Sequence, residues 1–111
     1  MPRLKTGIVV SALRQGYERR AIPCVVMKRG ADEGGSIYLE VDRLDGRIDV
    51  YSPAPSDDPD TRAWMALYPD GCDALKASAY FARIREDDPD AWILSIEDRE
   101  CRHGLDPVID L

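Results

Sequence analysis

At 111 residues, of which 44% are hydrophobic, the chain has enough material for one domain and one core, and too little for two. Its longest apolar runs, Ile8-Val9-Val10 and Cys24-Val25-Val26-Met27, fall well short of the about 20 residues of a membrane span or the about 7–15 of a signal-peptide core. A soluble, cytoplasmic protein is therefore expected. The net charge of −6 is unevenly placed: residues 1–30 hold seven basic residues against the single acid Glu18, a surplus of six, so the rest of the chain carries −12. An acidic total disfavours nucleic-acid binding, which rests on neutralising phosphates with Lys and Arg. The basic segment is expected to pack beside the acidic remainder.

In chain order, Lys5 to about Arg20 reads as a helix with Thr6, Val10, Leu13 and Tyr17 on one face and Val9 beside them. The β-branched run Ile8-Val9-Val10 makes a short strand the competing reading. A meander of three strands is expected next. The first is Ile22 to Arg29, closed by the loop Gly30-Ala31-Asp32-Glu33-Gly34-Gly35. The second, Ser36 to Asp42, alternates with Ile37, Leu39 and Val41 inward. The third, Arg47 to Ser52, has Ile48 and Val50 inward and Asp49 and Tyr51 outward.

The turn between the second and third strands sets their register. A two-residue loop at Asp45-Gly46 would place Asp42 opposite Asp49, an unfavourable pair of like charges. A four-residue loop pairs Asp42 with Arg47, Tyr38 with Tyr51, Val41 with Ile48 and Leu39 with Val50, and is the register expected.

The stretch Ser52-Pro53-Ala54-Pro55-Ser56-Asp57-Asp58-Pro59-Asp60 reads as an acidic, proline-rich loop. Arg62 to Tyr68 is open to strand or helix, with the alternation of Trp64, Ala66 and Tyr68 favouring strand. A second helix is expected from about Gly71 to Asp87, capped by Asp70 or Asp73, with a core stripe of Ala77, Tyr80, Phe81 and Ile84. Pro89 ends any helix there. Trp92 to Glu97 is apolar on both faces and reads as a central strand covered on each side.

Three cysteines, Cys24, Cys72 and Cys101, cannot all pair and are expected to be free thiols, with Cys24 a small core residue. The most mixed chemistry lies in Glu97-Asp98-Arg99-Glu100-Cys101-Arg102-His103, which holds the single histidine. Cys101 and His103 are two apart, so on a strand they share a face. Catalysis by that pair needs the imidazole within reach of the sulfur and an orienting carboxylate; a charged turn at Asp98-Arg99-Glu100 is the commoner outcome. The two residues are too few for a structural zinc site, and the Gly30–Gly35 loop lacks the Gly-Lys-Thr ending of a phosphate loop, so neither metal nor cofactor is expected.

Several stretches together resemble one family. They are Arg3-Leu4-Lys5, Lys28-Arg29-Gly30, Val41-Asp42-Arg43-Leu44-Asp45-Gly46, Tyr51-Ser52-Pro53-Ala54-Pro55 and Asp88-Pro89-Asp90-Ala91-Trp92, followed by Ile96-Glu97-Asp98-Arg99-Glu100-Cys101-Arg102-His103. The chain resembles a family of short bacterial proteins known only as a domain of unknown function. Glycine often stands in that family where this chain has Cys101, so the resemblance implies a turn there and argues against a nucleophile. It carries no activity, cofactor or catalytic residue with it.

The fold expected is α+β: an N-terminal helix, an antiparallel meander of three to four strands, a second helix and a returning central strand. The function expected is a non-catalytic protein-interaction module, with an unknown protein partner or a homodimer through an open sheet edge. A Tyr38 and Tyr51 patch is one candidate surface. The alternative is an anionic-ligand site or small enzyme using Arg99, Arg102 and His103. The third reading is a nucleic-acid contact through Arg14, Arg19, Arg20, Lys28 and Arg29.

Overall fold

A computed structural model describes residues 4–109. The first element, α1 (Thr6–Arg19), forms as its periodicity requires: Thr6, Val10 and Tyr17 are buried on one face, with Val9 and Leu13 packed at its margin. Helical burial therefore overrides the poor helix propensity of Ile8-Val9-Val10, whose Ile8 points to solvent. The strands are β1 (Cys24–Lys28), β2 (Ile37–Asp42), β3 (Ile48–Ala54), β4 (Ala63–Ala66), β5 (Trp92–Glu97) and β6 (Val108–Ile109), with α2 (Ala74–Asp87) between β4 and β5. Arg62 to Tyr68 thus contains a strand, as its alternation suggests. Asp73 caps α2 by accepting the Lys76 backbone N–H at 2.8 Å, and the helix starts three residues later than the expected Gly71.

All six strands form one mixed sheet in the order β1-β5-β2-β3-β4-β6. This corrects the expected meander. β1 does not pair with β2; β5 inserts between them, antiparallel to β1 and parallel to β2, and the antiparallel run is β2-β3-β4. A strand apolar on both faces is most stable at the centre of the sheet, and Ile93, Leu94 and Ile96 are all fully buried there. The short β6, which pairs parallel with β4, has no counterpart in the sequence reading.

The sheet lies between two cores. On one face α1 and the 101–105 segment cover Ile37, Leu39, Val41, Tyr51, Trp64, Trp92, Leu94 and Ile96. On the other, α2 lays Ala77 and Phe81 on Ile48, Val50 and Ile93. Covering both faces explains why the β2–β3 register also differs from expectation. Leu39 faces Tyr51, Val41 faces Asp49 and Asp42 faces Ile48, one residue from either register considered. A sheet with a single buried face would punish that slip; here Ile48 and Val50 simply enter the second core. The turn that sets it spans Arg43 to Arg47, closed by the Arg43 N–H donating to the Arg47 carbonyl at 3.1 Å, with Leu44 and Gly46 both at positive φ. Strand β3 also runs on to Ala54, so the proline-rich loop begins at Pro55 and not at Ser52.

Two of the glycines have a steric reason. A Cβ on Gly30 would lie 2.3 Å from the Asp90 carbonyl oxygen, and one on Gly35 would lie 2.4 Å from the same atom. The Asp88–Ala91 loop seats on those glycines, and the Lys28 ammonium closes it by donating to the Pro89 and Ala91 carbonyls at 2.6 and 2.8 Å.

Candidate functional site

Past the end of β5 the chain turns on Asp98. Its backbone N–H donates to Asp42 at 3.0 Å, anchoring the turn to the parallel neighbour β2. Its buried carboxylate accepts from the Arg102 backbone N–H at 2.8 Å and from the Arg102 guanidinium at 2.9 and 3.1 Å. Arg102, chiefly through that side-chain pairing, holds the Asp98 carboxyl down at about 2. The loop so formed is a turn, as the charged pattern suggests, and it leaves Cys101 at φ +53°, a left-handed conformation natural to glycine.

That conformation aims the Cys101 thiol inward. Its Sγ lies 3.3 Å from Asp49 Oδ2 and 3.4 Å from the Tyr51 hydroxyl. Asp49, expected on an outward face, is only 3% exposed. Arg43 neutralises it through two hydrogen bonds of 2.5 and 3.0 Å. Missing this buried ion pair follows directly from missing the β2–β3 register. Burial pushes the Cys101 thiol up, so it is protonated and a poor nucleophile.

His103 is held separately. Its ring packs against Tyr51 at 4.8 Å with a tilt of 51°, its Nδ1 accepts from the Leu105 N–H at 2.9 Å, and its carbonyl accepts from the Tyr17 hydroxyl at 2.5 Å. Burial depresses its pKa, which favours neutral imidazole. No hydrogen bond joins the Cys101 sulfur to the His103 ring among the described residues, so the two do not form a nucleophile–base pair. Nor do three or more His, Cys, Asp or Glu side chains gather as a metal would require, again among the described residues.

The candidate anion-binding residues have separate engagements. Arg102 is spent on Asp98, His103 lies against Tyr51, and Arg99 is exposed on the turn. The Tyr38 and Tyr51 patch is corrected too. The observed register puts them on opposite faces, Tyr38 beside Tyr80 at 6.3 Å under α2 and Tyr51 in the α1 core.

The other polar feature lies at the sheet's edge. The Glu97 N–H donates to the Pro23 carbonyl at 3.1 Å, which makes Pro23/Glu97 a hydrogen-bonded pair of the β1–β5 ladder. Alternation along an antiparallel pair then directs the Val25 main chain toward β5 and the N–H and C=O groups of Cys24 and Val26 away from the sheet. Between them the Val25 side chain is 62% exposed. Alongside runs an open groove of about 470 Å³ lined by Ser11, Arg14, Gln15, Glu18, Ile22 and Cys24. Among the described residues internal neutralisation of the basic segment is slight: Lys5 pairs with Glu33 at 3.0 Å, whereas Lys28 goes to carbonyls and Arg29 stacks over Trp92. The sequence signal for this edge was the run Cys24-Val25-Val26-Met27 following Pro23; what hid it was the expectation that β2 covers it.

Fold and site together define a small α+β protein with a mixed sheet between two helices, an inward-turned polar cluster at one end of β5 and an open β1 edge. Residues 4–106 match DUF1491, a family of proteins of unknown function, and the chain belongs to that family. The structure is similar to the crystal structure of a DUF1491 family protein from Caulobacter crescentus CB15, at 32% identity and a TM-score of 0.81, over 96% of this chain and 98% of that one. It is also similar to the solution structure of protein Atu0922 from A. tumefaciens, at 28% identity and a TM-score of 0.83, over 98% and 97% of the two chains. No curated protein matches. Among the described residues no helix is long and apolar enough to cross a membrane.

Proposed function

We propose that this protein is a non-catalytic interaction module whose docking element is the open edge of β1. The observation that carries the reading is the outward main-chain groups of Cys24 and Val26 with an exposed Val25 between them. Unpaired strand edges recruit extended partners by main-chain hydrogen bonding, with side chains on alternate faces supplying selectivity. Among the described residues the opposite edge of the sheet, β6, spans two residues, Val108–Ile109. The polar cluster around Asp49 and Cys101 supports the same reading, because its groups satisfy one another and hold a protonated thiol. An anionic-ligand site at Arg99, Arg102 and His103 is disfavoured by their separate engagements. A nucleic-acid contact is disfavoured by the use of Lys28 and Arg29 within the fold.

The test is selection of extended peptides from a displayed library against the full chain, with counter-selection on Val26→Pro. Proline at that position removes an outward N–H and no β5 bond. Peptides enriched on the wild type and lost on the proline variant are expected. A library that enriches nothing able to tell the two folded proteins apart retires the docking reading.

A further inference from the structure

We infer that the occupant of the β1 edge is a second copy of this chain, paired antiparallel about a two-fold axis through Val25. The inference rests on the docking reading above and names its partner.

The open stretch is short and bounded. Ile22, the next outward position before it, already gives its N–H to the Tyr17 carbonyl at 2.9 Å, and the ladder loses register between Val26 and Lys28, so Cys24–Val26 is the segment free to add a strand. That segment is its own complement. A two-fold axis normal to the sheet at Val25 sets Cys24 opposite Val26 of the second copy and Val26 opposite its Cys24. Both become hydrogen-bonded pairs, each exchanging two N–H···O=C bonds. The Val25 side chains then face each other in a non-hydrogen-bonded pair, where Cβ atoms come closest, and the exposed valine gains an apolar neighbour. A register shifted by one residue would turn those groups out of line, and one shifted by two would run into Ile22, whose N–H is already taken, or the irregularity.

The charges beside the edge permit a like partner. The groove holds one cation, Arg14, and one anion, Glu18, so its own copy does not repel it, whereas a strongly acidic or basic strand would meet a carboxylate or a guanidinium there. An axis normal to the sheet also keeps both α1 helices on one face of a continuous sheet. Their two grooves then open toward each other as one cleft, with Ser11, Arg14 and Cys24 contributed by both copies. The contact is a small isologous one, so exchange between monomer and dimer is expected to be fast.

The decisive experiment is disulfide trapping of the full chain carrying Cys24→Ser and Val25→Cys under mild oxidation, with Leu75→Cys on the Cys24→Ser background as control. Leu75 is more exposed than Val25 but lies at the start of α2. Rapid formation of a covalent dimer by the Val25 variant alone is expected. Sedimentation velocity on unmodified protein should show a dimer fraction that rises with concentration, and Val25→Lys should weaken the association at least about tenfold by opposing two ammonium groups. Equal trapping of the two cysteine variants overturns the inference, as does wild-type protein that stays monomeric at every concentration. In either of those cases, library peptides that still select the wild-type edge keep the docking reading and remove only the second copy. With neither dimer nor peptide, both fall.

Discussion

The two ends of interest in this molecule invert the usual relation between residue type and role. The 97–105 segment carries the residues a chemist would pick first, a cysteine, the single histidine, two arginines and three carboxylates, and the fold uses most of them up. Asp98 holds Arg102, Arg43 and Cys101 serve Asp49, and His103 braces Tyr51. The β1 edge carries Cys-Val-Val and leaves the main-chain groups of Cys24 and Val26 unspent. Polar side chains near a buried strand are cheap to keep only when they satisfy each other, whereas an unpaired backbone edge stays available whatever its side chains are.

The contrast breaks most easily at Asp49. Replacing Arg43 with Met leaves a carboxylate 3% exposed with only a thiol and a distant ring for company. Losing one partner of a buried pair costs about 3–5 kcal/mol, and the guanidinium's residual exposure places this one near the lower bound, about 3 kcal/mol. Denaturant unfolding of Arg43→Met checks it. A loss below about 1 kcal/mol would mean that the cluster is not structural, and its chemistry would again be free for other use.

Acid should reveal the same cluster in two steps. The folded pKa of His103 is depressed below the usual 6.5 by burial, so the unfolded chain binds more protons there. Its contribution to stability is complete above about 6.5 and is lost as pH falls through the folded value. Asp98 titrates at about 2 in the folded protein against about 4 unfolded, so its contribution is complete above about 4 and is lost between there and 2. Because the Arg102 side chain is 43% exposed, water screens the pair and the second step should be modest. Thermal melts across pH should show both slopes, the first absent in His103→Gln and the second flattened in Asp98→Asn.

Cys101 sharpens the comparison further, because it sits at φ +53° in a family expected to favour glycine at that position. Left-handed backbone costs a non-glycine residue about 1–2 kcal/mol, against which the thiol takes part in two weak hydrogen bonds. Cys101→Gly should therefore leave stability unchanged or raise it by up to about 1 kcal/mol. A clear loss in equilibrium unfolding would show that the sulfur contacts outweigh the backbone strain.

Much of this architecture could be read from local pattern. Both helices, five of the strands, the Asp73 cap and the two-sided burial of Trp92 to Glu97 follow from periodicity and punctuation within a few residues of each element. The turn at Cys101 was legible through the family resemblance and is explained by its positive φ. What escaped was non-local. The insertion of β5 between β1 and β2 depends on a strand some 60 residues away, and no pattern within β1 announces it. The β2–β3 register escaped because apolar residues on both faces of β3 remove the penalty that normally fixes it. With the register went the burial of Asp49, the separation of Tyr38 from Tyr51, and the exposure of the β1 edge.

The smallest expected effect on folding is at that edge, and it separates the two regions most cleanly. Val25 is 62% exposed, and its main chain already bonds to β5, so Val25→Lys removes little buried surface and no hydrogen bond of the monomer. Its stability measured at low concentration should fall within about 0.5 kcal/mol of wild type. Lysine is moreover a residue that natural edge strands use to discourage pairing. If Val25→Lys instead lowered the unfolding midpoint as far as Arg43→Met, β1 would be part of the core's support and not a free edge. A wild-type midpoint that rises with protein concentration, set against a Val25→Lys midpoint that does not, would tie the difference between the regions to association, because only a bound partner couples stability to concentration.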